Sequence, residues 1–109
     1  MAYDEGLAQR VREVLAEQPS VIEKSMFGGI CFLLRGNMVA GVVNEDLMVR
    51  VGPEAHDDLV SRPDARPMDF TGKSLKGFVY VGPEGLDSDT ELRRWIGYGV
   101  AYAGSLPGK

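Results

Sequence analysis

Apolar positions along this chain follow two periods. Between residues 25 and 51 they fall in short runs separated by turn chemistry. Ile30 to Leu34 is one run and Met38 to Val43 a second, with Arg35-Gly36-Asn37 between them. Gly and Asn accept positive φ, so this spacing predicts a tight antiparallel turn. Asn44-Glu45-Asp46 forms the next polar break. Leu47, Val49 and Val51 then alternate with Met48 and Arg50, the period of a strand. In the first run Ile30, Phe32 and Leu34 share one parity, while Cys31 and Leu33 share the other. Strands apolar at both parities are expected to be covered on both faces.

The flanking segments carry the helical period. Asp4 suits an N-cap, and Leu7, Val11, Val14 and Leu15 then share one helix face. Gln18-Pro19 ends that helix, because the residue before proline avoids the α region. Val21-Ile22 is read as an extended lead into the strands. After Val51, Pro53 suits a first helical position and Glu54 the positive helix end. Ala55 and Leu59 give this short second helix a narrow apolar face, and Arg62-Pro63 closes it. Arg66 to Phe70 carries Pro67 and reads as an edge strand. Phe78 to Val81 reads as the strand that follows. Ser88-Asp89-Thr90-Glu91 is a capping box opening a last helix, with Leu92, Trp95, Ile96, Gly99 and Ala103 on one face. Each interior glycine of that helix costs roughly 1 kcal/mol against alanine, which close approach of another backbone would offset. The predicted order is α-β-β-β-α-β-β-α. That order is an α+β fold with a five-stranded antiparallel sheet, the long first and last helices packing on one face.

Composition narrows the functional classes. The chain has 109 residues, 44% hydrophobic and 26% charged, as expected for a single domain spanning residues 1–109. Its net charge of −4 offers no general attraction to phosphate backbones, so direct nucleic-acid binding is not expected. The lone cysteine, Cys31, excludes an internal disulfide and fits a reducing, cytoplasmic compartment. No apolar run approaches the ~20 residues that span a bilayer, and the acidic start lacks a signal-peptide core.

Candidate chemistry is sparse. His56 is the only histidine. No metal-ligand spacing surrounds it, and with Asp57 and Asp58 it reads as solvated. Gly72-Lys73-Ser74 imitates the end of a phosphate-binding loop. Pro67 stands where the motif needs glycine, and a strand follows where it needs a helix. Arg62, Arg66, Lys73 and Lys76 read as charges that keep an edge soluble. No cofactor loop and no catalytic grouping is legible. Two features stay open. Phe27-Gly28-Gly29 marks either a kinked strand start or bare backbone pressed against a ligand. Arg50, isolated in an apolar strand, either pairs an anion there or faces solvent.

Met26-Phe27-Gly28-Gly29, the Gly36-Asn37-Met38 turn and the strand from Leu47 to Gly52 resemble the N-terminal domain of the TfoX/Sxy family, named for regulators of natural competence. Arg66-Pro67-Met68, Lys76-Gly77-Phe78, Glu91-Leu92 with Trp95, and Ser105-Leu106-Pro107 extend the resemblance over nearly the whole chain. It implies the same element order in two layers. The competence regulators carry a second, helical domain. This chain ends at Lys109 and so resembles the free-standing members, whose biochemical role is undefined.

Two functions are therefore expected in competition. The first is a non-enzymatic regulatory or protein-interaction domain. The second is a small-ligand, anion-binding domain or an enzyme with its site near Phe27, Gly28, Gly29 and Arg50. A homodimer is expected, because helices on one sheet face leave Cys31 and Leu33 on the other. Tyr98 and Tyr102, one turn apart on the last helix, are a further candidate surface.

Overall fold

A computed structural model of the chain describes residues 3–26, 28–70 and 73–108. Helix α1 (Glu5–Leu15) leads into strands β1 (Val21–Met26), β2 (Gly29–Leu34), β3 (Asn37–Val43) and β4 (Asp46–Arg50). Helix α2 (His56–Val60), strands β5 (Ala65–Phe70) and β6 (Lys73–Val81), a 3-10 turn (Pro83–Leu86) and helix α3 (Asp89–Gly104) complete it. The strands form one six-stranded antiparallel sheet in the order β1-β2-β3-β4-β6-β5. The α+β class and the antiparallel sheet match the sequence reading. The five-strand count does not, because the segment starting at Val21 is a full strand. Glu23, Lys24 and Ser25 in it are polar, and only pairing with β2 makes it a strand: Val21 lies opposite Leu34 and Ser25 opposite Ile30.

Local chemistry explains most boundaries. Asp4 accepts from the Leu7 N–H at 3.1 Å, and Ser88 accepts from the Glu91 N–H at 3.0 Å. Each cap stabilises its helix by about 1 kcal/mol. Between β2 and β3, Arg35 and Gly36 take φ of 50° and 85°, the paired positive values of a type I′ turn. Pro67 sits on β5 at the sheet edge, where a missing N–H costs no central pairing.

The core lies between the sheet and helices α1 and α3. Leu7, Val11 and Leu15 pack there with Leu92, Ile96 and Ala103, against Phe32, Val42, Leu47, Val49 and Val79. A bulge helps. Phe32 faces Ala40 while Leu33 faces Met38, so Val39 is the extra residue of β3. Val39 and Ala40 are both buried in the helix-side core in consequence. Helix α3 then comes so close that a Cβ on Gly99 would stand 2.3 Å from the Val39 carbonyl oxygen. This is the backbone approach expected for the helix glycines. It holds at Gly99 only, since Gly97 and Gly104 have open space in front of them.

The opposite sheet face carries no helix-side core residue. Cys31, Met38 and Met48 form a second small cluster there, with Leu33, Phe78 and Tyr80 packed against it. Cys31 and Met48 are fully buried in spite of the missing helix layer. Gly41 makes this possible: a Cβ there would meet the Met48 Cε at 2.8 Å and the Cys31 Sγ at 3.0 Å. The flexible methionine lies over the glycine and seals the cysteine.

Candidate functional site

Gly29 and Arg50 stand at opposite ends of the sheet. Gly29 starts β2 and abuts the Val42–Val43 end of β3. Arg50 ends β4, one residue past the pairing of Val49 with Ala40. The two sites proposed together from sequence are therefore separate. Phe27 lies outside the described residues. Gly28 has φ of 76°, and a Cβ on Gly29 would fall 2.0 Å from the Val42 carbonyl oxygen. The backbone that presses on Gly29 is the protein's own, which answers for glycine there without a ligand.

Arg50 pairs with Phe78 across β4 and β6. Its guanidinium carbon sits 5.8 Å from the Phe78 ring centroid and 5.2 Å from that of Tyr102. It is half-buried between two aromatic faces. Arg66, on β5, is exposed and meets one ring. It lies 5.0 Å from the Tyr80 centroid and donates to Asp46 at 2.5 Å. Burial pushes the Tyr80 hydroxyl pKa up, partly opposed by the Arg66 charge. Burial likewise raises the Cys31 thiol to about 11, so it is no nucleophile at neutral pH.

The four residues named as an interaction surface divide between two places. Cys31 and Leu33 lie on the helix-free face, Cys31 wholly buried and Leu33 partly so. Leu33 has the cross-strand neighbour Ile22, which is 58% exposed. Tyr98 and Tyr102 instead line a cavity on the helix side.

That cavity, about 520 Å³, opens between the C-terminal half of α3 and the segment joining β4 to α2. Its walls are Val51, Gly52, Ala55 and Leu59 on one side and Tyr98, Ala101 and Tyr102 on the other; Glu54 stands on its lining. The floor is tightly built. Gly52, at φ 88°, passes so close beneath Tyr102 that a Cβ would meet the ring at 2.5 Å. The Gly77 carbonyl accepts from the N–H groups of Val51 and Gly52 at 2.8 and 3.1 Å. The Gly77 N–H in turn donates to Nδ1 of His56 at 3.0 Å.

His56 is thus buried, not solvated as read from sequence. Asp57 and Asp58 are exposed as expected. Nothing local marks the difference, because the partner of His56 is 21 residues away in the chain. Among the described residues, no group of three or more His, Cys, Asp or Glu is placed to hold a metal ion. No described helix is long and apolar enough to cross a membrane.

A comparison with protein families matches one family, described as the TfoX N-terminal domain, over residues 13–103. No curated protein and no solved structure matches the chain.

Proposed function

Since the chain belongs to the TfoX N-terminal domain family, we propose that it is a non-enzymatic regulatory domain that acts through protein contacts, and that it does so as a homodimer. The observation that carries this reading is the cross-strand pair of Ile22 and Leu33 on the face without helices. Ile22 is the one large hydrophobic side chain that stands exposed among the described residues. It borders a cluster already dry at Cys31 and Met48, so a partner extends an existing apolar layer. A two-fold axis lays such a strip against its own copy, the commonest oligomeric arrangement. Helix contacts from Tyr98 and Tyr102 are not required by this geometry, because those residues face the cavity.

The reading carries a cytoplasmic location, supported by the single cysteine, and no direct binding of DNA by this chain at physiological salt, supported by the charge of −4. Sedimentation equilibrium at micromolar concentration tests the dimer. A mass of twice 11.9 kDa is expected, and a mass near 11.9 kDa removes the proposal. Leu33→Glu and Ile22→Glu should each shift the equilibrium toward monomer with unchanged helical circular dichroism. Leu33→Glu places a charge on a partly buried site, so the exposed Ile22 is the cleaner test.

A further inference from the structure

We propose that the β4-β6-β5 end of the helix-free face docks an acidic segment of another protein, two carboxylates flanking an apolar side chain. This rests on the reading that the chain acts through protein contacts, and it names the chemistry of the partner. Phe78 and Tyr80 stand two residues apart on β6, half-buried, and both pack against the cluster of Cys31, Met38 and Met48. Residues i and i+2 of a strand share a face, so the two rings form one apolar ledge. Arg50 pairs with Phe78 from β4, its guanidinium carbon 5.8 Å from that ring centroid. Arg66 pairs with Tyr80 from β5, its guanidinium carbon 5.0 Å from that ring centroid. Strand β6 lies between β4 and β5, so the ledge has one arginine on each side. Two strand spacings across and two residues along place positions 50 and 66 on the order of 12 Å apart.

Charge selects an acidic partner. Among the described residues this face carries Lys24, opposite Cys31, Arg66, opposite Tyr80, and Arg50 beside Phe78, against the single carboxylate of Asp46. Three cations thus meet one anion, in a chain whose net charge is −4. Arg66 uses one nitrogen on Asp46 and is 52% exposed, so the rest of its guanidinium fork remains for a second carboxylate. Among the described residues Arg50 makes no ion pair, and the exposed Glu54 does not reach it. Its guanidinium rests against the rings of Phe78 and Tyr102. Such contacts occupy the face of the group and leave its N–H donors for a carboxylate.

A second copy does not fit this end, because it would bring the same arginines against their counterparts. The dimer strip of Ile22 and Leu33 lies on β1 and β2, and β2 is three strand spacings, roughly 14 Å, from β6. A nucleic-acid strand also takes arginine and aromatic side chains. It brings a phosphate at every nucleotide, and the net charge of −4 opposes it where a short segment with two carboxylates meets only the local cations.

The probe is an acetylated and amidated peptide of sequence ESFSE, with QSFSQ and KSFSK as controls, titrated into the ¹⁵N-labelled protein. In the extended peptide both glutamates and the phenylalanine share one face, the glutamates about 13 Å apart. ESFSE should saturate and move the amide resonances of Met48, Arg50, Phe78 and Tyr80. It should bind about tenfold more tightly than QSFSQ, and added salt should shrink that margin. Arg50→Gln should bring ESFSE affinity down toward that of QSFSQ with unchanged circular dichroism. Asp46→Asn should tighten ESFSE binding, because Arg66 then lacks a carboxylate of its own. Unchanged affinity in Arg50→Gln, or no gain in Asp46→Asn, overturns the proposal. So does equal or tighter binding of QSFSQ or KSFSK, and so does ESFSE binding that moves other resonances or none. Tighter binding of single-stranded oligouridylate at the same residues overturns it in favour of a nucleic-acid surface. Ile22→Glu, which tests the dimer, lies on β1 and should leave ESFSE binding unchanged, so loss of the dimer and loss of this site are told apart.

Discussion

Alanine at Gly99 and alanine at Gly97 should have opposite effects, although both positions lie within one helix two residues apart. By intrinsic propensity each change stabilises a helix by about 1 kcal/mol. At Gly97 nothing lies within 4 Å of the added Cβ, so that gain should appear in full. At Gly99 the Cβ would stand 2.3 Å from the Val39 carbonyl oxygen and 3.0 Å from its Cγ1. The oxygen belongs to the β3 bulge and cannot rotate aside as a side chain can. Helix α3 must retreat by roughly the missing ångström. Leu92, Ile96 and Ala103 then lose contact with the sheet together. Overpacking of this kind costs about 1–3 kcal/mol, and a backbone obstacle belongs at the upper end. Set against the propensity gain, Gly99→Ala should destabilise by about 2 kcal/mol. Urea unfolding followed by circular dichroism measures both, and the Tm should move by roughly 4 °C per kcal/mol in a domain of this size. Gly99→Ala as stable as wild type would refute the reasoning, because it would mean that α3 does not rest on the bulge.

His56→Ala should cost about 2 kcal/mol, since it leaves the buried Gly77 N–H without an acceptor. Hydrogen exchange at the Gly77 amide should accelerate in the variant, and unchanged exchange would show the bond to be absent. Arg50→Ala should cost about 1 kcal/mol through lost packing on Phe78 and Tyr102, measurable by the same urea unfolding. Cys31 has a folded-state pKa raised to about 11 from an ordinary value of 9.0. The folded state therefore holds the thiol proton more tightly than the unfolded chain. Its contribution to stability is complete below pH 9.0 and lost as pH rises through about 11. Cys31→Ala should flatten the fall in stability over that range, and a thiol reagent should label native protein at pH 8 only as fast as it opens.

Much of this fold was legible in residue patterns. The tight turn after Leu34, the alternation from Leu47 to Val51, the cap at Asp4 and the capping box at Ser88 are local devices, although positive φ falls on Arg35 and Gly36 and not on Asn37, which begins β3. Each involves residues within a few positions of one another, so the chain alone determines them. The two-parity reading of Ile30 to Leu34 also held, since Phe32 faces the helices and Cys31 the other side.

What the chain could not declare depends on partners distant in sequence. Strand β1 is polar by its own residues and exists because β2 pairs with it. His56 looks solvated on a short acidic helix and is buried because Gly77 reaches it from β6. Cys31 and Leu33 looked in need of a second protein, yet Gly41 lets Met48 fold over Cys31 and dry it. Gly28-Gly29 and Arg50 were joined in one expected site by nearness to a common apolar stretch. Antiparallel register sends them to opposite ends, because each turn reverses the chain and so separates what its order seems to gather. The cavity is of the same kind. Gly52, Glu54, Tyr98 and Ala101 carry no shared pattern in the chain, and they face each other only once α3 has settled on the sheet.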